Sequence, residues 1–192
     1  MQSTLSSSNS PGLRSGGEFL ASNFSAVYTL ARRLKAASHV GRSDDRPLAG
    51  KNIALLRLQP PDAEMSVLHR AALDLGARVA HVRLGPAIDP GGTQFRHLSQ
   101  MLGRLYDAID CSSLAPAEVR QIEQRAGVPV YDDLEGFDHP ARLLADLMTL
   151  SEHGCTTASD SQTAFLEDHA AECSENYRFV MQAMLLTTMA GT

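Results

Sequence analysis

Apolar residues recur at helical spacing from residue 18 to about residue 37, through Phe19, Leu20, Phe24, Val27, Tyr28, Ala31 and Leu34, and predict a first helix. After a polar link, the run 52–58 (Asn-Ile-Ala-Leu-Leu-Arg-Leu) has the unbroken apolar character of a buried parallel strand, stopped by Pro60 and Pro61. Residues 65–75 return to helical spacing, with Val67, Leu68, Ala71, Ala72 and Leu75 on one side and Gly76 as the stop. A second strand is predicted at 78–84, followed by a Pro- and Gly-rich loop at 85–92. Phe95, Leu98, Met101, Leu102 and Leu105 mark the next helix, and residues 107–111 the third strand. An amphipathic helix at 115–126 and a short fourth strand at 128–131 follow.

The next segment opens with Asp138 as a possible cap and the pair His139-Pro140. It continues with apolar residues at 143, 144, 147, 148 and 150, which predict a helix with one buried stripe. Strands separated by single helices imply an α/β domain: a four-stranded parallel sheet flanked by helices on both faces. Ligands in such sheets gather at the carboxyl ends of strands, here near Leu58, Leu84, Cys111 and Tyr131. Residues 154–171 are small and polar, with a short helix possible around 164–167. Residues 175–188 return to a helical pattern through Tyr177, Val180, Met181, Met184 and Leu185, a stripe that the rest of the domain must cover.

Length and composition fit one core, at 192 residues and 43% hydrophobic content. A formal charge of -5 and a pI near 5.8 argue against nucleic acid or an anionic membrane surface as partner. Residues 1–17, rich in Ser, Gly and Asn, read as a disordered tail without the apolar stretch of a signal peptide. No apolar run has the length of a membrane span, and three cysteines without paired spacing suggest a reducing compartment, so cytoplasm is the expectation. No P-loop, dinucleotide fingerprint or nucleophile triad is present, and no cofactor is expected.

His139, Pro140, Leu144, Asp146, Leu147, Thr149 and Glu152 resemble, in type and spacing, a signature of the aspartate/ornithine carbamoyltransferase family, which reads His-Pro-x-Gln at a helix start. The Gln position is Arg142. Gly50-Lys51, Leu75-Gly76, Asp107-Ala108-Ile109 and Val128-Pro129-Val130 fall in the family's order across residues 48–153. Glu175-Asn176-Tyr177-Arg178 with Gln182 to Leu186 is similar to the family's last helix, which returns to pack on the first domain. The resemblance implies a carbamoyl-phosphate-binding domain at 18–153, a linker at 154–171 standing where the amino-acid-binding domain would be, and a C-terminal helix at 172–192 that closes the domain. It also implies a homo-oligomer, a trimer by the family's habit.

In that family the His polarises the carbonyl of carbamoyl phosphate, and a Ser-Thr-Arg-Thr-Arg loop after strand one holds the phosphate. The corresponding five residues here are Pro61, Asp62, Ala63, Glu64 and Met65. Asp62 stands where its own carboxylate can cap the following helix, and Glu64 adds a second negative charge. At about 4 Å and an effective dielectric of about 20, each carboxylate would repel a unit of phosphate charge by roughly 4 kcal/mol. The Arg expected after the third strand falls near Ser112.

His139 therefore reads either as a structural histidine at a helix start or as a retained carbonyl-polarising group. Arg142 either pairs with Asp146 one turn on or faces the pocket and joins Arg57 on an anion. His153, Cys155, His169 and Cys173 are permissible zinc ligand types at unusual spacing and read as ordinary linker residues, so no metal is expected. The expectation is a truncated, catalytically inactive binding or assembly protein. The alternative keeps a residual carbamoyl-phosphate or small-anion site from His139, Arg142 and Arg57, or makes the chain an accessory partner of a full-length carbamoyltransferase paralogue.

Overall fold

The computed structural model describes residues 16–40, 46–58, 65–85, 92–134, 136, 138–155 and 161–189. Its elements run α1 (Gly16–His39), β1 (Asn52–Arg57), α2 (Val67–Asp74), β2 (Arg78–Arg83), α3 (Thr93–Leu105), β3 (Ala108–Asp110), α4 (Pro116–Ala126), β4 (Val130–Tyr131), α5 (Pro140–Glu152), α6 (Ser161–Asp168) and α7 (Ala170–Met189). Of the tail expected at 1–17, Gly16 and Gly17 are the first residues of α1 and the remainder lies outside the described residues. The segment read as a linker contains all of α6 and the first residues of α7.

The sheet is entirely parallel in the order β2-β1-β3-β4. Because side chains alternate between faces along a strand, the continuous apolar run of β1 feeds two cores at once. Ile53 and Leu55 join Ala108 and Tyr131 in the core beneath α1, α2, α5 and α7, while Ala54 and Leu56 join Ile109 and Val130 in the core beneath α3 and α4. Helices thus cover both faces of the sheet.

The larger core is closed by α7, whose buried residues include Tyr177, Val180, Met181, Met184 and Leu185 and which packs on α1, α2 and α5. A polar clasp fixes its position. Lys35 of α1 donates to Glu152 Oε2 at 2.8 Å and to Asn176 Oδ1 at 2.7 Å, and Asn176 Nδ2 donates to Thr149 Oγ1 at 2.9 Å and to Glu152 at 3.2 Å. Asn176 is fully buried, so these bonds satisfy an amide that would otherwise be costly inside. At the other side, Arg178 and Gln182 both donate to Asp74 Oδ2 at the end of α2, at 3.1 and 3.0 Å.

Two local expectations change. The apolar residues of α5 do not form one buried stripe: Leu144 and Met148 are buried, but Leu143 and Leu147 are 56% and 42% exposed. Five apolar positions cover a wider arc than α1 and α7 can shield, and Ala141, Ala145 and Thr149 take the inner positions instead. Helix α2 begins at Val67 and is capped by Ser66, whose Oγ accepts from the His69 N–H at 3.3 Å. Asp62 is therefore not its cap; Pro61, Asp62, Ala63 and Glu64 lie outside the described residues, and Met65 precedes the helix as a partly exposed residue.

Candidate functional site

The strand order reverses direction between β1 and β3, and the crevice outside their carboxyl ends is where a sheet of this type places ligands. Here β1 ends on Arg57 and β3 on Asp110. Arg57 Nη1 donates to Asp110 Oδ2 at 3.0 Å, and the Asp110 side chain is only 2% exposed. The other carboxylate oxygen accepts from the backbone N–H of Ser112 at 3.0 Å and from its hydroxyl. Asp110 is thus an internal anion, fully bonded at the place where an anionic ligand would sit, and it takes up the charge of Arg57.

After β4 the chain runs through Asp132 and Asp133, the latter in the left-handed region at φ 47°. Burial raises the Asp132 carboxyl, with His139 pulling against it. Gly136 N–H donates to Asp133 O and His139 N–H to Gly136 O, a turn that delivers the chain to α5. The N-cap of α5 is His139 itself, not Asp138: its Nδ1 accepts from the Ala141 N–H at 3.2 Å, and Pro140 takes the first helical position, where its missing N–H costs nothing.

That bond settles the tautomer of the neutral ring. With Nδ1 accepting, the proton sits on Nε2, which is buried and has no hydrogen-bond partner among the described residues. Burial holds His139 below the usual histidine range, opposed by the charges of Asp132 and Asp133, so the neutral donor form prevails at pH 7. A lone N–H of this kind can polarise a carbonyl or hold one oxygen of a ligand.

Arg142 places its guanidinium 5.4 Å over the ring of Tyr177 and acts on Asp146, pulling that carboxyl down against the effect of its burial. The Tyr177 hydroxyl in turn donates to the Leu134 carbonyl. The three residues read as a ligand set therefore take separate neighbours: Arg57 has Asp110, Arg142 has Tyr177 and Asp146, and His139 caps its own helix. Between α2 and the strand ends remains a cavity of about 10 Å³, bordered by Ser66, Leu68, Asp110, Ser112, Leu134 and Tyr177. Among the described residues, this space is at the limit for a single water.

Asp110 and Tyr177 are the residues that sequence reasoning passed over. A charged residue closing a buried apolar strand was a signal for Asp110; nothing local marks Tyr177, which arrives from a distant helix. Cys111, read as a strand end, is buried, and burial pushes its thiol well above the usual range. Among the described residues, the group able to hold a metal is His153, His169 and Glu172, away from this crevice.

No family model matches the sequence. A catabolic ornithine carbamoyltransferase of Burkholderia mallei (strain ATCC 23344) is 37% identical over 145 residues, spanning 72% of this chain and 41% of that protein. The catabolic ornithine carbamoyltransferase of Rhizobium meliloti (strain 1021) is 33% identical over 151 residues, 76% of this chain and 43% of the relative. The ornithine carbamoyltransferase structure from Pyrococcus furiosus superposes with a TM-score of 0.59 at 25% identity, covering 73% of this chain and 44% of that one. The chain is a relative of the aspartate/ornithine carbamoyltransferases. It spans less than half the length of the curated carbamoyltransferases that it matches. Against that family's His-Pro-x-Gln signature, His139 is present at the start of α5, Arg142 replaces the Gln, and Asp110 with Arg57 occupies the crevice between β1 and β3.

Proposed function

We propose that this protein is a carbamoyltransferase relative without transferase activity, acting as a binding or assembly protein built on the carbamoyl-phosphate-domain fold. The observation that carries this reading is the internal ion pair of Arg57 and Asp110, which commits the guanidinium at the switch point to a buried carboxylate. A phosphate entering there would lose the guanidinium to a competing carboxylate and would meet its negative charge. The replacement of the phosphate loop by Pro61, Asp62, Ala63, Glu64 and Met65 supports the same reading, as does the short connection between α5 and α7 in place of an amino-acid-binding domain.

The protein acts as a homo-oligomer, a trimer by family analogy. Exposed Leu143 and Leu147 on α5, and Met101 and Leu105 on α3, are apolar surface that association would cover. Three free thiols support a reducing, cytoplasmic setting. Calorimetric titration with carbamoyl phosphate is expected to give no heat of binding, and assays for citrulline and carbamoyl aspartate no product. Release of either product by purified protein sinks the proposal.

A second reading is favoured by one atom, the buried Nε2 of His139, which has no hydrogen-bond partner among the described residues. It keeps a small-anion or carbonyl contact at His139, helped by Arg142 and Arg57, or places the chain as an accessory subunit among trimers of a full-length carbamoyltransferase. Saturable carbamoyl phosphate binding lost in His139→Asn supports the former. Co-purification with a full-length paralogue supports the latter, and a clean homotrimer in light scattering counts against it.

A further inference from the structure

At the far end of α5 the chain leaves the sheet domain, forms α6 and re-enters as α7, and three potential ligands meet at this junction. His153 is the C-cap of α5, His169 is the single residue between α6 and α7, and Glu172 lies in the first turn of α7. One ring nitrogen from each histidine and a carboxylate oxygen of Glu172 fall within 4.8 Å of one another. His153 Nε2 and Glu172 Oε2 are 2.7 Å apart, and the two imidazole rings stand edge to face with centroids separated by 4.7 Å.

The orientation of His169 is fixed from behind. Its Nδ1–H donates to the Phe165 carbonyl at 2.8 Å, and the Phe165 ring stacks on it at 4.0 Å and 19°. That bond leaves the lone pair on Nε2, which is how metal-binding histidines are held: one nitrogen donates to a carbonyl and the other is free to coordinate. The hydrogen bond from His153 holds the Glu172 carboxylate beside the two rings. The nearby cation, Lys35, is already engaged by Glu152 and Asn176.

We propose that His153, His169 and Glu172 form a surface site for a divalent transition metal, with zinc the best match to two imidazoles and one carboxylate. Tetrahedral zinc with bonds of about 2.0 to 2.1 Å separates its donor atoms by about 3.3 Å, so the metal takes the place of the Nε2 proton of His153, the neutral ring then carrying its proton on Nδ1, and His153 and Glu172 part by about 0.6 Å while His169 draws inward. All three side chains are at least partly exposed and free to make that adjustment. The metal ties the end of α5 to the start of α7 and so closes the loop that carries α6. Water fills the remaining coordination position. This assignment is independent of the proposed lack of transferase activity.

The test is isothermal titration of the full chain, kept reduced, with zinc alone. One saturable equivalent of micromolar affinity is expected, weakened by at least about tenfold in His169→Ala and in Glu172→Gln. His97→Ala, an exposed histidine on α3, is expected to bind as the wild type does. Zinc at about 100 times the dissociation constant is expected to raise the melting temperature of wild type by about 5 °C or more, and not that of His169→Ala. Absence of saturable binding, or undiminished affinity in both ligand variants, overturns the site. Binding that survives both but is lost in Cys155→Ser overturns it equally, by assigning the metal to a thiol.

Discussion

Replacing Asn176 by Leu is the most direct probe of what holds α7 in place. The side chain is fully buried and makes three hydrogen bonds of 2.7, 2.9 and 3.2 Å, to Lys35, Thr149 and Glu152. A bond involving a charged partner contributes about 1.5 to 3 kcal/mol and a neutral one about 1 kcal/mol. The sum must be reduced, because Lys35 keeps Glu152 at 2.8 Å and Thr149 keeps its bond to the Ala145 carbonyl at 3.1 Å, so neither is orphaned. Leucine of similar size restores some apolar packing. A net loss of about 3 kcal/mol follows, which for a chain of this length lowers the melting temperature by about 6 to 12 °C. Chemical denaturation monitored by circular dichroism reads it directly. A double-mutant cycle with Lys35→Met is expected to show coupling above about 0.5 kcal/mol. A loss below about 1 kcal/mol, or strict additivity, would refute the clasp as the element that joins α1, α5 and α7.

Three further outcomes are expected. Gly103→Ala places a Cβ onto the Ala126 carbonyl where α3 and α4 approach, so it should cost about 3 kcal/mol or more; a soluble variant with unchanged melting would mean that the two helices separate readily. His139→Ala removes the cap of α5 and is expected to cost about 1 kcal/mol in urea denaturation, whereas His139→Asn, a good cap, restores most of it. Burial holds both His139 and His69 below the ordinary histidine value, so their folded pKa lies under the unfolded one. The stability that they confer is complete above about pH 6.5 and declines as pH falls through the folded values, and the slope should flatten in His139→Asn. Asp132 and Asp146, raised by burial, act in the opposite sense nearer their own more acidic range.

The sheet was legible because the run at 52–58 is apolar without alternation, which parallel strands between two helical layers require, and the observed β1 differs by one residue. The returning helix was visible in its apolar spacing. What the sequence could not resolve were choices made by partners distant in the chain. The cap of α5 fell to His139 rather than Asp138 because Pro140 fixes the first helical position and brings the imidazole, not the carboxylate, over the Ala141 N–H. Arg57 could be read as a free cation only while Asp110, fifty residues away, was counted as part of a strand. Leu143 and Leu147 share the apolar character of Leu144 and Met148, and only the positions of α1 and α7 decide which pair is covered. The clustering of His153 and His169 likewise depends on α6 folding back, which local composition does not specify.

The contact of α7 with α1 also bears on how the protein is made. The N-terminal helix, the strands and α5 leave the ribosome well before α7, and until it emerges, Leu20, Val27, Ala31, Leu144 and Met148 lack the helix that shields them. The layer beneath α3 and α4 has no such dependence and can condense as soon as β4 is synthesised. One face of the sheet is therefore expected to mature before α7 is synthesised and the other only once α7 has emerged. The nascent chain carries an apolar surface through that interval, which makes it a candidate substrate for holdase chaperones.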